Sequence, residues 1–215
     1  MERKSEAVIF EELLTRYPDL KDCETDIRKA FEVLKTCYQQ GGKVMLCGNG
    51  GSASDSDHIA GELLKSMELR RPIPQATRDA LKGEFPVEGE WLADRLMQGL
   101  PAISLVAHAA LLSAMDNDVD SDMAYAQQVY AYAKPGDVLV AISSSGRSKN
   151  ILHAVRVARV CDVRTIALTG RIHPDLKDLC EVAVCVPGKM TADIQEYNLP
   201  VYHALCRLLE NYFFE

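Results

Sequence analysis

The chain has 215 residues, 47% of them hydrophobic and 26% charged, enough apolar material to bury a substantial core in one domain spanning 1–215. Its formal net charge of −7 excludes an extended nucleic-acid surface, which needs a basic field to displace counterions. No apolar run reaches bilayer length, and the charged, amphipathic start MERKSEAVIFEELL is unlike a signal peptide, so the expectation is a cytoplasmic protein with no nucleic-acid or membrane partner.

Residues 1–42 read as N-terminal helices. Ile9, Leu13 and Leu14 fall at helical spacing, YPDLKD breaks the pattern, and a second helix carrying Ile27, Ala30, Phe31, Leu34 and Tyr38 stops at Gly41-Gly42. Short apolar runs then alternate with helical stretches. Strands are expected at Lys43–Cys47, Ala102–Ala107, Asp137–Ser143, Val163–Thr169 and Glu181–Pro187, with a closing helical segment over 191–213. Continuous apolar strands separated by helices imply an α/β fold, a parallel sheet covered on both faces. Residues 68–100 break the rhythm as an insertion, read as a lid or interface element or equally as a plain surface excursion, with a helix expected from Gly89 to Gln98. The seven cysteines are odd in number, form no C-x-x-C pair, and several lie in apolar runs such as VMLC and VAVC. They read as reduced core thiols.

Two strand-to-helix turns point to anion binding. In CGNGGS (Cys47–Ser52) the glycines let backbone N–H groups approach a ligand at a helix start, where unpaired donors and partial positive charge favour an anion. The turn lacks the Lys-Ser/Thr of a Walker A loop. In ISSSGRS, Ser143, Ser144, Ser145 and Ser148 gather hydroxyls at a second such corner, where open α/β sheets bind ligands. A glycine turn of no special function and a polar helix cap with surplus serines are the competing readings.

His58 and Glu62 stand at i and i+4 and share a helix face just beyond the first corner. Gln195 and His203, eight residues apart in the closing segment, fall loosely on one side, with Pro200 a potential kink between them. A surface ion pair for the first set and a core histidine for the second remain open. Together, a carboxylate, two imidazoles and a serine cradle suit proton abstraction next to a carbonyl.

The set CGNGGS, the H-x-x-x-E of His58 and Glu62, Asn117-Asp118, ISSSGRS, and Gln195-Glu196 followed by His203 resembles the sugar isomerase (SIS) domain family, and within it the phosphoheptose isomerases, over nearly the whole chain outside 68–100. The resemblance implies a flavodoxin-like five-stranded parallel sheet, a homotetramer with sites between subunits, and a small phosphorylated sugar as substrate. It implies isomerisation of sedoheptulose 7-phosphate to D-glycero-D-manno-heptose 7-phosphate. Glu62 matches the base and His203 its acid/base partner. Ser143, Ser144, Ser145 and Ser148 match the phosphate site. Asn49, Gly50, Gly51, Ser52, Asn117, Asp118 and Gln195, with Glu62, match substrate contacts. Some members bind zinc at positions matching His58, Glu62, Gln195 and His203, which implies one zinc ion per subunit and no nucleotide or organic cofactor. Ser66 stands where many relatives carry Arg, with Lys65 and Arg70 nearby, and Asn198 stands at a position that is often His.

Two other functions fit parts of the pattern. Some relatives are regulators that bind phosphosugars or a replication initiator without catalysis, but those tend to lack the acid/base pair present here. An isomerase for another sugar phosphate is the second alternative.

Overall fold

The computed structural model describes residues 3–171 and 173–214. Strands β1 (Val44–Gly48), β2 (Ala102–Ser104), β3 (Val138–Ser143), β4 (Arg164–Gly170) and β5 (Val182–Val186) form one parallel sheet in the order β2-β1-β3-β4-β5. The strand order reverses between β1 and β3, which opens a crevice above their C-terminal ends. The flavodoxin-like five-stranded sheet and the N-terminal helices expected from the sequence are both present.

The period of two along each strand divides the core into two layers. Val44, Leu46, Val138, Val140, Ile142, Ile166, Leu168, Val182, Val184 and Val186 face one way. They pack against α1 (Glu6–Arg16), α2 (Glu24–Gln39), α3 (Gly51–Leu64) and α10 (Thr191–Phe213). Met45, Cys47, Leu139, Ala141 and Ala167 face the other way. There they meet α7 (Ala124–Tyr132), α8 (Lys149–Val160) and the short α9 (Asp175–Leu179). All seven cysteines are free thiols, and Cys23, Cys37, Cys47 and Cys206 are buried. No helix of the described residues is long and apolar enough to cross a membrane.

Several boundaries differ from the sequence reading. YPDLKD is not a plain break, since Pro18–Cys23 form a 3-10 helix between α1 and α2. The second strand was expected to reach Ala107 but ends at Ser104. Leu105 N still donates to Leu46 O, whereas Ala107 N turns back to Ser104 O. This is an edge strand, so no second neighbour extends its ladder, and the chain turns into α6 (Ala109–Asp118). Within 68–100 the chain forms α4 (Gln75–Glu84) and α5 (Gly89–Arg95). α5 stops short of Gln98 because Met97 pairs with Pro72 in an antiparallel bridge and Gln98 N donates to Arg71 O at 2.8 Å. α10 runs on through Pro200 without interruption.

That returning segment is anchored by a buried ion pair. Arg71 Nε donates to Glu210 Oε1 at 2.8 Å, and both side chains are fully buried. Glu210 also accepts from the backbone N–H groups of Met67, Glu68 and Leu69. Arg71 donates further to Leu63 O and Glu62 O at the end of α3. Its guanidinium lies over the Phe214 ring, 4.7 Å from the centroid. Burial pushes the Glu210 carboxyl up, but the three N–H donors and Arg71 outweigh it and hold it below its ordinary value. A carboxyl lowered on folding stabilises the folded state above its unfolded pKa, and that contribution is lost as the pH falls through its folded value.

Replacing Arg71 by Met leaves the Glu210 charge buried without its cation. We expect a loss of about 3–5 kcal/mol in denaturant-unfolding free energy, and acid unfolding that begins at higher pH than in the parent.

Candidate active site

The first corner links β1 to α3. Gly50 holds a left-handed φ of +56°, which a side chain would strain. Gly51 is needed for a different reason: a Cβ there would lie 2.5 Å from Gln195 Nε2. The absent side chain lets α10 bring Gln195 against the turn. Ser52 is buried at the first turn of α3, while Asn49 is exposed at the mouth.

The second corner links β3 to α8. Ser143 Oγ lies 3.2 Å from Ser148 Oγ and accepts from Gly146 N at 3.2 Å. Ser145 Oγ accepts from Arg147 N at 3.3 Å. Ser144 O accepts from Gly170 N, and Thr169 Oγ1 donates to Ser143 O at 2.6 Å, so β4 braces the loop from behind. Ser148 is the N-cap of α8, yet its hydroxyl makes no capping bond. The first N–H groups of α8 are thus left without a side-chain cap from Ser148.

The two corners are joined directly. Asn49 Nδ2 donates to Asn150 Oδ1 at 2.9 Å, and Asn150 Nδ2 donates back to Asn49 Oδ1 at 2.9 Å. This reciprocal amide pair spans the β1/β3 switch point. Nothing in the sequence singles out Asn150, because a polar residue in the first turn of a helix is ordinary.

The proton-transfer candidates meet where α3 faces α10. His58 Nε2 lies 3.4 Å from Glu62 Oε1. The His58 and His203 rings pack edge to face, with centroids 5.0 Å apart and planes at 87°. Glu62 Oε2 is buried without a hydrogen-bond partner. The nearest cation to it is Lys65 Nζ, at 3.7 Å, so of the two cations flanking Ser66 it is Lys65 that reaches this corner. Ser66 itself donates to Met97 Sδ. Burial, then the neighbouring His58, push the His203 pKa below the ordinary value near 6.5. Asn117 and Asp118 stand apart: both are exposed at the end of α6, where Asn117 Nδ2 donates to Asp118 Oδ1 at 2.7 Å. No hydrogen bond among the described residues ties them to either corner.

Three residues at this corner escaped the sequence reading. Tyr202 OH lies 3.0 Å from His58 Nδ1 and donates to Asp55 Oδ1 at 3.2 Å, while Arg71 holds the Glu62 carbonyl from behind. An aromatic in an apolar helix and an aspartate on a polar helix face carry no visible signal. Glu210 did carry one, as a charge inside the apolar run CRLLENY.

The donor set at this corner suits zinc in kind, since two imidazoles and a carboxylate are ordinary ligands and Gln195 is a weaker one. The 3.4 Å between His58 Nε2 and Glu62 Oε1 matches the ligand–ligand edge of about 3.3 Å expected for tetrahedral zinc. Among the described residues, no three His, Cys, Asp or Glu groups yet converge on one point, so binding would have to draw the remaining ligands in.

A His whose pKa is lowered on folding weakens the fold when it is protonated: stability is full above the unfolded value near 6.5 and falls as the pH drops through the folded one. In an NMR titration of the metal-free protein we expect His203 to titrate below a reference histidine. A His203→Gln variant should lose part of the parent's stability decline below pH 6.5.

Comparison with known proteins shows the family and the fold. The SIS domain family model matches residues 11–83 and 92–170, so only 84–91 of the 68–100 segment falls outside it. The phosphoheptose isomerase of Rhodospirillum rubrum is 37% identical over 192 residues, covering 89% of this chain and 88% of its own. That of Solidesulfovibrio magneticus is 37% identical over 186 residues, covering 86% and 78%. Among solved structures, phosphoheptose isomerase GmhA from Neisseria gonorrhoeae superposes with a TM-score of 0.69 at 31% identity, covering 93% of this chain and 94% of that one. A phosphoheptose isomerase from Francisella tularensis gives 0.72 at 27% identity, covering 94% of each. The chain belongs to the SIS domain family, among the phosphoheptose isomerases.

Proposed function

We propose that this protein is an aldose–ketose isomerase that converts sedoheptulose 7-phosphate to D-glycero-D-manno-heptose 7-phosphate. The carrying observation is that α3, which bears an imidazole–carboxylate pair, starts at a corner tied by the Asn49–Asn150 amide pair to the serine corner of α8, in a chain 37% identical to proteins named phosphoheptose isomerase.

The phosphate sits in the Ser143–Ser148 loop, held by the hydroxyls of Ser143, Ser144, Ser145 and Ser148 and by N–H groups at the start of α8. The sugar lies between the corners, against Asn49, Gly50, Gly51, Ser52 and Gln195; Asn117 and Asp118 are assigned to it on resemblance alone. Glu62 takes a proton from carbon 1 of the ketose. Its Oε2 lacks a hydrogen-bond partner, which leaves a lone pair free for that step. His203, kept neutral by burial, accepts the proton of the carbon 1 hydroxyl and delivers one to the oxygen on carbon 2. Glu62 then returns its proton to carbon 2, giving the aldose. A zinc ion held by His58, Glu62, Gln195 and His203 would add Lewis-acid polarisation of the carbonyl. The reading includes a homotetramer with sites between subunits. Exposed Leu64, Phe85, Trp91 and Met97, at the end of α3 and along the α4–α5 segment, support it.

Three outcomes are expected. Glu62→Gln keeps shape and loses basicity, so kcat should fall by at least about 100-fold with substrate binding largely kept; single-turnover rates near wild type, with and without zinc, would remove Glu62 as the base. The Ser145→Ala, Ser148→Ala double variant should weaken phosphosugar binding by about 3 kcal/mol in calorimetry, and unchanged affinity would place the phosphate elsewhere. Light scattering at micromolar protein should give a tetrameric mass; a monomer would sink the shared site.

A further inference from the structure

Tyr202 has one hydroxyl proton and two neighbours that could receive it. Its oxygen lies 3.0 Å from His58 Nδ1 and 3.2 Å from Asp55 Oδ1. We propose that Asp55 and Tyr202 are positioning residues that fix His58 as its Nδ1–H tautomer and turn its Nε2 lone pair into the Glu62 corner.

The assignment follows from donor and acceptor chemistry. An ionised carboxylate can only accept, whereas an imidazole Nδ1 can either donate or accept. Among the described residues Tyr202 is the only hydrogen-bond donor to Asp55, whose Oδ2 is buried and unpartnered. Glu62 has a cation beside it, Lys65 Nζ at 3.7 Å from Oε2, whereas among the described residues Asp55 has no ion pair and no donor but Tyr202, so the hydroxyl proton counts for more on Asp55 than on His58. The hydroxyl proton therefore goes to Asp55. Tyr202 oxygen is left as an acceptor, and His58 Nδ1 must donate to it. Burial and then the Asp55 charge push the Tyr202 pKa up, so the phenol keeps its proton.

The consequence lies on the other side of the ring. With Nδ1 protonated, neutral His58 carries a lone pair on Nε2, facing Glu62 Oε1 at 3.4 Å. Two acceptors at that distance repel unless something positive enters between them. The corner is thus held ready for an electrophile, a proton or a metal ion. Tyr202 and His203 both meet the ring edge to face, at 77° and 87°. Asp55 and His58 lie on α3 and Tyr202 on α10, so the tautomer also depends on how the two helices dock.

The test uses full-length, metal-free protein with 15N-labelled histidine imidazoles near pH 8, and His58→Gln to assign the His58 signals. Wild type should show a protonated Nδ1 and a lone-pair Nε2 at His58. Tyr202→Phe and Asp55→Ala should each lose that preference. Asp55→Asn should keep it, because the amide oxygen still accepts from Tyr202. A wild-type Nε2–H tautomer, or an unchanged tautomer in Tyr202→Phe, would overturn the assignment. The kinetic arm rests on the isomerase reading: Tyr202→Phe should lower kcat about tenfold or more with KM within about twofold. An unchanged kcat in a variant whose tautomer has flipped would overturn the positioning role. If wild type shows the Nδ1–H tautomer but no isomerase turnover, the proposed reaction fails and the tautomer assignment stands.

Discussion

The buried pair of Arg71 and Glu210 is the constraint on which the rest of the site depends. Two charges taken out of water carry a large desolvation penalty, and here every strong group finds a partner. Glu210 accepts from Arg71 and three backbone N–H groups, and Arg71 gives its remaining donors to the carbonyls of Leu63 and Glu62. The pair thereby ties the end of α3 to the last turns of α10. Those two helices carry His58 and Glu62 on one side and Gln195 and His203 on the other. A shift between them would move the carboxylate relative to both imidazoles, and proton transfer is sensitive to such shifts.

The second organising element is the reversal of strand order. Because β1 and β3 lie side by side while their following helices run on opposite faces of the sheet, two helix N-termini meet at one crevice. Asn49 and Asn150 close the gap between them with a reciprocal amide pair. A chain of net charge −7 can bind an anion here because local N–H groups and hydroxyls, not the distant acidic surface, set the field at the site. Polar groups of fixed position at one end and a carboxylate with a free lone pair at the other suit a substrate that is anionic at one end and reacts at the other.

Much of this was legible in the sequence. The apolar runs announced the five strands, because a strand buried on both faces leaves little room for polar residues. The glycine and serine corners were legible because their chemistry is local, contained within six or seven residues. What stayed hidden was non-local. Arg71 and Glu210 are 139 positions apart, and the pairing of two buried charges has no periodicity. Asp55, Tyr202 and Asn150 became informative only when α3, α8 and α10 were docked. The early ends of β2 and α5 were hidden for the same reason. Each is set by a partner strand or bridge and not by its own residues' preferences. α10 runs on through Pro200 because the packing of the helix on both sides of it outweighs the lost hydrogen bond.

The most direct measurement is turnover by the wild-type protein. Purified protein would be incubated with sedoheptulose 7-phosphate and a panel of other ketose phosphates, and the products followed by NMR. Conversion of sedoheptulose 7-phosphate to the heptose 7-phosphate aldose, faster than any pentulose or hexulose phosphate reacts, is the result expected of a phosphoheptose isomerase. No conversion of any ketose phosphate by a folded protein that binds one, with or without added zinc, would contradict the isomerase reading and leave a phosphosugar-binding protein in its place.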